Sequence, residues 1–426
     1  FALAREPIDF AEHAIGLHAS TLVKDGGTLQ IGIGALSDAL VAALVLRHEK
    51  NADYLAAVGA LREKSVAEDR LVSRYGGITP FEQGLYGASE MVMDGFMHLR
   101  RAGILKRLVH DDLADDAARG SRAHYLKGAF FLGSKELYAW LRNLSGEDYD
   151  GLVMGRVSDV NQLYGGHEER DARQRKDARF FNICMMATAL GAAVSDALED
   201  GRVVSGVGGQ YNFVAMAHAI EGGRSVLLLR STRESGDRVD SNVRWSYGHA
   251  TIPRHLRDVF ITEYGVADLR GKSDEECVTA MLAITDARFQ DEIVRAAIRG
   301  KKLPADFRAL ESWKTNTPEA LADKMRPFRA RGLFSTFPFG SDFTPVEERL
   351  LPALSWLAKN YKAEDWGVLA GAIAWPGKDA EADACIERLG LRTTGTPPSG
   401  TGSPSIKERM LARLVRGALA RTAKGR

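Results

Sequence analysis

The stretch RVVSGVGGQYNF, residues 202–213, holds the densest candidate chemistry in this 426-residue chain. Gly206, Gly208 and Gly209, following Gly201, leave a bare backbone between branched apolar residues and an aromatic-flanked run. Glycine reaches φ > 0 at little steric cost and lets a ligand approach the main chain, although it weakens strands and helices. Val203 and Val204 read as the end of a buried strand, and NFVAMAHAI (212–220) has helical spacing. The glycines are then a strand-to-helix turn, where free N–H groups can face an anion or a polarised oxygen. A tight βα turn without a ligand has the same spelling. Neither common nucleotide fingerprint fits: the spacing is not G-x-G-x-x-G, no lysine follows as in a P-loop, and Gln210 is left over.

A second unit of this kind is TLQIGIG (28–34), a short buried strand ending in Gly32 and Gly34. Ser37 or Asp38 would cap the helix that follows. For Gly32 and Gly34, plain turn geometry and ligand contact have equal standing. Among carboxylates, Glu90 in SEMVMDG is the first choice for chemistry, with Glu263, Glu199, Glu168 and Glu169 behind it. His218 reads as a packed histidine, and His249 and His255 flank the IPR turn within reach of a phosphate. Arg230 ends the strand SVLLLR, and Lys272 is a candidate phosphate partner. No G-x-S-x-G elbow is present.

The elements that would hold these residues alternate. Short buried strands are expected at 28–34, 129–133, 149–160, 225–232 and 258–265, and helices at 12–23, 134–141, 274–284 and 288–300. Asp94 with Gly95 is a turn signal, 50–82 a mostly polar connection and 165–177 a charged loop. Repeated strand, glycine turn and helix imply an α/β fold, an open and mostly parallel sheet flanked by helices, with ligands at the carboxyl ends of the strands. The expected divisions are a domain over 1–304, an additional α-rich region over 305–391, a flexible linker at 392–405 and a basic amphipathic helix over 406–426.

Forty-five per cent hydrophobic and 27% charged residues describe an ordinary globular chain, and a formal charge of +1 recruits neither nucleic acid nor anionic membrane. Three scattered cysteines argue against a disulfide framework or a zinc site and fit a reducing cytoplasm. No apolar run reaches the ~18–20 residues that cross a bilayer. The chain opens at Phe1 within apparent secondary structure, which reads as a fragment or a processed product.

Five segments together resemble the acetyl-CoA hydrolase/transferase family, which includes 4-hydroxybutyrate CoA-transferases. They are GGTLQIGIGALSDAL (26–40), SEMVMDGFMHLRRAGI (89–104), AFFLGSKELYAWL (129–141), SGVGGQYNFV (205–214) and FITEYGVADLRGKS (260–273). The resemblance covers residues 10–300 and implies the second of two related α/β halves, with acyl-CoA in the cleft between them and the first half absent. It implies coenzyme A as substrate or acyl carrier, a carboxylate acceptor and no metal, and it leaves a homo-oligomer open. It casts Gly206, Gly208, Gly209 and Gln210, then Gly32 and Gly34, as the residues that hold the acyl-CoA, with turn amides facing the thioester oxygen. The family's nucleophile is a glutamate in a segment reading Asn-Ser-Ala-Leu-Glu-Val-Asp-Leu. Ungapped alignment from SGVGGQ puts Ala187 at that position. Two readings follow: an acyl-CoA transferase or hydrolase whose nucleophile is relocated, with Glu90 as the chosen carboxylate, or replaced by activated water; and a non-catalytic acyl-CoA-binding relative. On the first, Ala187→Glu is expected to raise transfer.

Overall fold

The computed structural model describes residues 2–62, 66–111, 122–162, 164, 166–235, 238–362, 380–391 and 406–423. They form two compact units, Phe1–Arg233 with Asp240–Phe339, and Glu234–Val239 with Gly340–Arg426.

The first unit is built on an eight-stranded sheet. Its strands in chain order are β1 (Thr28–Gln30), β2 (Tyr86–Ala88), β3 (Leu126–Gly128), β4 (Leu152–Met154), β5 (Ala178–Ile183), β6 (Arg224–Leu228), β7 (Val259–Thr262) and β8 (Gly265–Asp268). In space the order is β8-β7-β6-β5-β1-β2-β3-β4. Every neighbouring pair is parallel except β7 with β8. The expected open, mostly parallel α/β sheet is what the chain forms. β1, β2 and β6 are buried throughout, as strands covered on both faces must be.

Helix α1 (Phe10–Ser20) packs on α2 (Ala35–Glu49), and α3 (Gln210–Ala219) lies on β5 and β6. Helices Asp274–Ala283 and Ala287–Arg299 stand where the sequence puts them. Ser134 caps Lys135–Arg142 by accepting a hydrogen bond from Leu137 N.

Several local expectations are corrected. Helix α2 starts at Ala35, with Gly34 as its cap at φ 104°, because the Gly34 carbonyl takes the Ser37 and Asp38 amides at 3.0 and 3.2 Å. Val203 and Val204 do not end a buried strand. They are 72% and 47% exposed, because Val203 pairs with Ala197 across an isolated bridge rather than joining the sheet. The strand near 129–133 falls earlier, at β3, and leaves Phe130 and Phe131 exposed in a two-residue strand. Asp94 begins a helix, Asp94–Arg101, rather than a turn. The connection after residue 50 contains Asn51–Leu61, whose Tyr54, Ala57, Val58 and Leu61 recur at helical spacing and are buried. The charged loop contains Glu168–Gln174, which buries Asp171 and Gln174.

In the second unit, Pro345–Lys362, Ala380–Arg388 and Ile406–Ala423 enclose Leu350, Cys385, Ile386, Val415 and Leu419. The basic C-terminal helix is therefore partner-packed along its apolar stripe. The expected linker at 392–405 lies outside the described residues.

Candidate functional site

Parallel strands deliver all their carboxyl ends to one edge. The chain lays β1 to β4 outward in one direction, then returns to the far side of β1 for β5 to β7. The reversal places a topological switch point between β1 and β5, where open α/β sheets form a ligand crevice. The turn after β1 carries Gly32 and Gly34, and the end of β5 is Ile183. Gln210, buried at the start of α3, donates from Nε2 to the Ile183 carbonyl at 3.1 Å. That bond explains the glutamine of the motif: it pins the glycine turn to the end of β5.

The turn itself is open where a ligand would need it open. Gly208 has φ +52°, and a Cβ built at Gly206 or Gly208 would meet nothing within 4 Å. Among the described residues, none of the main-chain N–H groups from Gly206 to Asn212 donates to a protein acceptor. These donors include the first turn of α3, where a helix leaves its amides unpaired and carries partial positive charge. A Cβ at Gly32 would come 3.9 Å from Ser37 Oγ, and one at Gly34 3.8 Å from Glu6 Oε2.

Gly209 is different, because it is buried against a carboxylate. A Cβ there would collide with Glu90 Oε2 and come within 3.4 Å of Asn161 Nδ2. Glu90 follows β2, and its carbonyl is held by the Ala129 and Phe130 amides at 2.9 and 3.2 Å. Its half-buried side chain has no hydrogen-bond or ion-pair partner among the described residues. So the structure brings Glu90 together with Gly209, although 119 positions separate them in sequence. Asn161 was missed by sequence reading. Its amide is buried and its Oδ1 has no partner among the described residues.

Comparison with known proteins finds similarity to one family. Residues 133–297 match the family model of the acetyl-CoA hydrolase/transferase C-terminal domain. Over those residues the chain is similar to the acetyl-CoA hydrolase/transferase C-terminal domain. It is 26% identical over 292 residues to the 4-hydroxybutyrate coenzyme A transferase of Clostridium kluyveri, covering 66% of this chain and 53% of that protein. It is 26% identical over 290 residues to a probable butyrate:acetyl-CoA coenzyme A-transferase of Syntrophomonas wolfei, covering 67% and 53%. The crystal structure of RipA from Yersinia pestis shares the fold, with a TM-score of 0.52, 22% identity, and coverage of 71% of this chain and 56% of RipA. The chain thus spans about half the length of the curated relatives it matches.

Within the matched segment, Ala187 lies on a short strand, Met186–Thr188, paired with Ala193 and Val243. It is 1% exposed in an apolar cluster with Cys184, Ala189, Val243 and Ile252. Other carboxylates of the first unit are perturbed. Glu263, 5% exposed at the end of β7, accepts from Ser231 N at 2.8 Å, and burial pushes its carboxyl up to about 7. Glu12 and Asp38 are also pushed up to about 7, chiefly by burial. Sequence reading missed both, since a charged residue on a helix looks solvated. Arg230, at the end of β6, is ion-paired to Asp9 and Glu12. Lys272 follows the antiparallel β8, which carries it to the edge of the sheet opposite the glycine turn. Glu199, Glu169 and His255 are exposed, Glu168 is half-buried at the start of the helix Glu168–Gln174, and His218 bonds to the Leu256 carbonyl at 3.0 Å. No group of three or more metal-binding side chains, and no helix long and apolar enough to cross a membrane, is found among the described residues.

Proposed function

We propose that this chain forms the acyl-holding half of an enzyme that cleaves the thioester of a short-chain acyl-CoA, as a CoA-transferase or a hydrolase. The observation that carries the reading is the open glycine turn, whose amides are unengaged among the described residues, beside the Glu90 carboxylate, which has no partner among them. The turn amides of Gly206, Gly208, Gly209 and Gln210 would donate to the carbonyl oxygen, where negative charge grows as the thioester is attacked. Gly32 and Gly34 would line the neighbouring wall. Glu90 would attack the acyl carbon, giving an acyl anhydride and CoA thiolate, and so replace the carboxylate missing at Ala187. In the transferase version a carboxylic acid acceptor takes the acyl group.

Partner and setting follow the same reading. Ile33, Phe130, Ile183, Val207 and Tyr211 are exposed around the carboxyl edge of the sheet. A companion half-domain of the complete natural protein would cover them and close the cleft, as the half-length match to the curated relatives supports. The three cysteines are buried thiols, Cys184 pushed up to about 12 by burial, which suits a reducing cytoplasm.

A second reading is a non-catalytic acyl-CoA-binding relative, favoured by Ala187 alone. Titrating acetyl-CoA and butyryl-CoA into the complete natural protein, then following thiol release with and without carboxylate acceptors, separates the two. Binding with turnover supports the enzyme; binding without turnover supports the relative. Absence of binding sinks both.

A further inference from the structure

The glycine turn has a second titratable neighbour, at the end opposite Glu90. Residues 193–204 fold back on the segment 247–252, with Ala193 bridged to Ile252. Asp196 stands at the junction. Its carbonyl accepts the Val204 and Ser205 amides at 2.8 and 3.1 Å, clamping the first residues of the turn. Its carboxylate meets His249 Nε2 at 2.9 Å and also accepts the Thr251 hydroxyl. One residue thus fixes both the turn and an imidazole. The His249 side chain keeps 34% of its surface open.

A carboxylate on one ring nitrogen selects the tautomer with that N–H and leaves Nδ1 as the acceptor, the arrangement of an oriented general base. The Thr251 hydroxyl, then His249, holds the Asp196 carboxyl below the usual carboxylate range, so the orienting group stays ionised. The other charged or titratable groups around the imidazole are Glu199 on the facing hairpin and Arg244 and Tyr247 on its own segment. Glu199 accepts Gly248 N at 2.6 Å and donates its own amide to the Tyr247 hydroxyl at 3.2 Å. The Arg244 guanidinium lies 5.8 Å from the Tyr247 ring centre.

We propose that His249, oriented by Asp196, activates the water that hydrolyses the acyl group held at the glycine turn, which makes the acceptor water rather than a second carboxylic acid. The inference rests on the acyl-transfer reading above. In the first step a Glu90 oxygen bonds to the acyl carbon, the carbon–sulfur bond breaks, and the electron pair leaves on CoA thiolate. In the second step water oxygen bonds to the acyl carbon of the anhydride, and His249 Nδ1 takes the water proton. The carbon–oxygen bond to Glu90 breaks, regenerating its carboxylate and releasing the free acid. His249 then gives its proton to the thiolate. The sum is acyl-CoA plus water to acid plus CoA, with no other reactant.

The test is rapid-mixing measurement of thiol release from butyryl-CoA by the complete natural protein and by His249→Gln, whose amide keeps a hydrogen bond to Asp196. Expected is one thiol per site released in a burst, with steady turnover lowered about 100- to 1,000-fold, the range of general-base loss. Asp196→Asn should keep the burst and lose less, about tenfold, through the wrong tautomer. Steady turnover of His249→Gln within threefold of the unaltered protein overturns the proposal. Loss of the burst together with turnover also overturns it, since that places His249 in binding or folding. If the unaltered protein cleaves no thioester, the acyl-transfer reading itself has failed. A Glu90→Gln variant that still gives the burst removes only the anhydride step.

Discussion

Replacing Gly208 by asparagine separates two properties of the glycine turn that any other change would mix. The residue sits at φ +52°, where an ordinary L-residue costs about 1–2 kcal/mol, whereas asparagine visits the left-handed region readily. A Cβ there meets nothing within 4 Å, so the new side chain occupies the open space in front of the amides rather than the protein interior. Folding should therefore be nearly untouched, with a thermal midpoint lowered by no more than a few degrees. Turnover should suffer far more. Losing one donor to a developing oxyanion costs about 3–4 kcal/mol, a 100- to 1,000-fold fall in kcat. Gly208→Val should lose activity too, but with added backbone strain from a branched side chain, so it cannot tell blocked amides from a distorted turn. The assay is thiol release from acetyl-CoA alongside circular-dichroism melting. A folded Gly208→Asn protein with kcat within threefold of the unaltered protein would refute the assignment of these amides to the acyl oxygen.

Ala187→Glu is now expected to destabilise by about 3 kcal/mol or more and to add no transfer, because position 187 is enclosed by apolar side chains that offer a carboxylate no partner; a folded variant with raised transferase rate would contradict this. Glu263 is pushed up to about 7 by burial, so the folded state holds a proton that the unfolded chain has lost. Its contribution to stability is full below about pH 4.5, falls as pH rises towards 7, and amounts to about 3 kcal/mol. Urea midpoints at pH 5 and pH 8 should converge in Glu263→Gln, and an unchanged difference would show that another group sets the slope. Arg47→Met is expected to cost about 3 kcal/mol or more in urea unfolding, since fully buried Arg47 donates to the Ser20, Val23 and Thr79 carbonyls at 3.1, 2.7 and 2.7 Å; a loss under about 1 kcal/mol would mean that water replaces it.

The periodic parts of the fold were readable because their pattern is local. SVLLLR and VFIT spell buried strands, and QYNFVAMAHA spells a helix, whatever surrounds them. Val203 and Val204 have the same composition as a strand end, yet a valine in a hairpin and a valine in a sheet cannot be told apart without the partner strand. The same limit applies to Glu90. Its segment was a reasonable choice, but its contact with Gly209 depends on β2 and β5 lying on either side of β1, a pairing set by the whole sheet. Asn161, Glu12 and Asp38 carried no local signal. A buried amide or carboxyl looks like a surface one until packing removes its water.

The two edges of the sheet are made of opposite chemistry, and that division says which losses the site can absorb. At the amino edge, buried guanidiniums hold backbone together: Arg179 binds the Leu22, Ala178 and Gly222 carbonyls, and Arg107 those of Gly27 and Gln174. Arg224 and Ser225 N converge on Asp258 in front of β7. Nothing on that edge is left unspent for a ligand among the groups named. At the carboxyl edge, among the described residues, the amides after Gly206 are unengaged, Glu90 has no partner, and burial pushes carboxyls such as that of Glu263 up to about 7. Ala187 belongs to neither edge, because its strand pairs in the separate three-stranded sheet with Ala193–Val194 and Val243–Arg244. The turn is fixed by Gln210 to β5 and by the Asp196 carbonyl to its hairpin, and no bond in that support passes through the side chain at 187. The side chain at 187 can therefore change without loosening the turn. Gly208→Asn and Ala187→Glu should therefore fail in different ways, one in turnover and the other in folding.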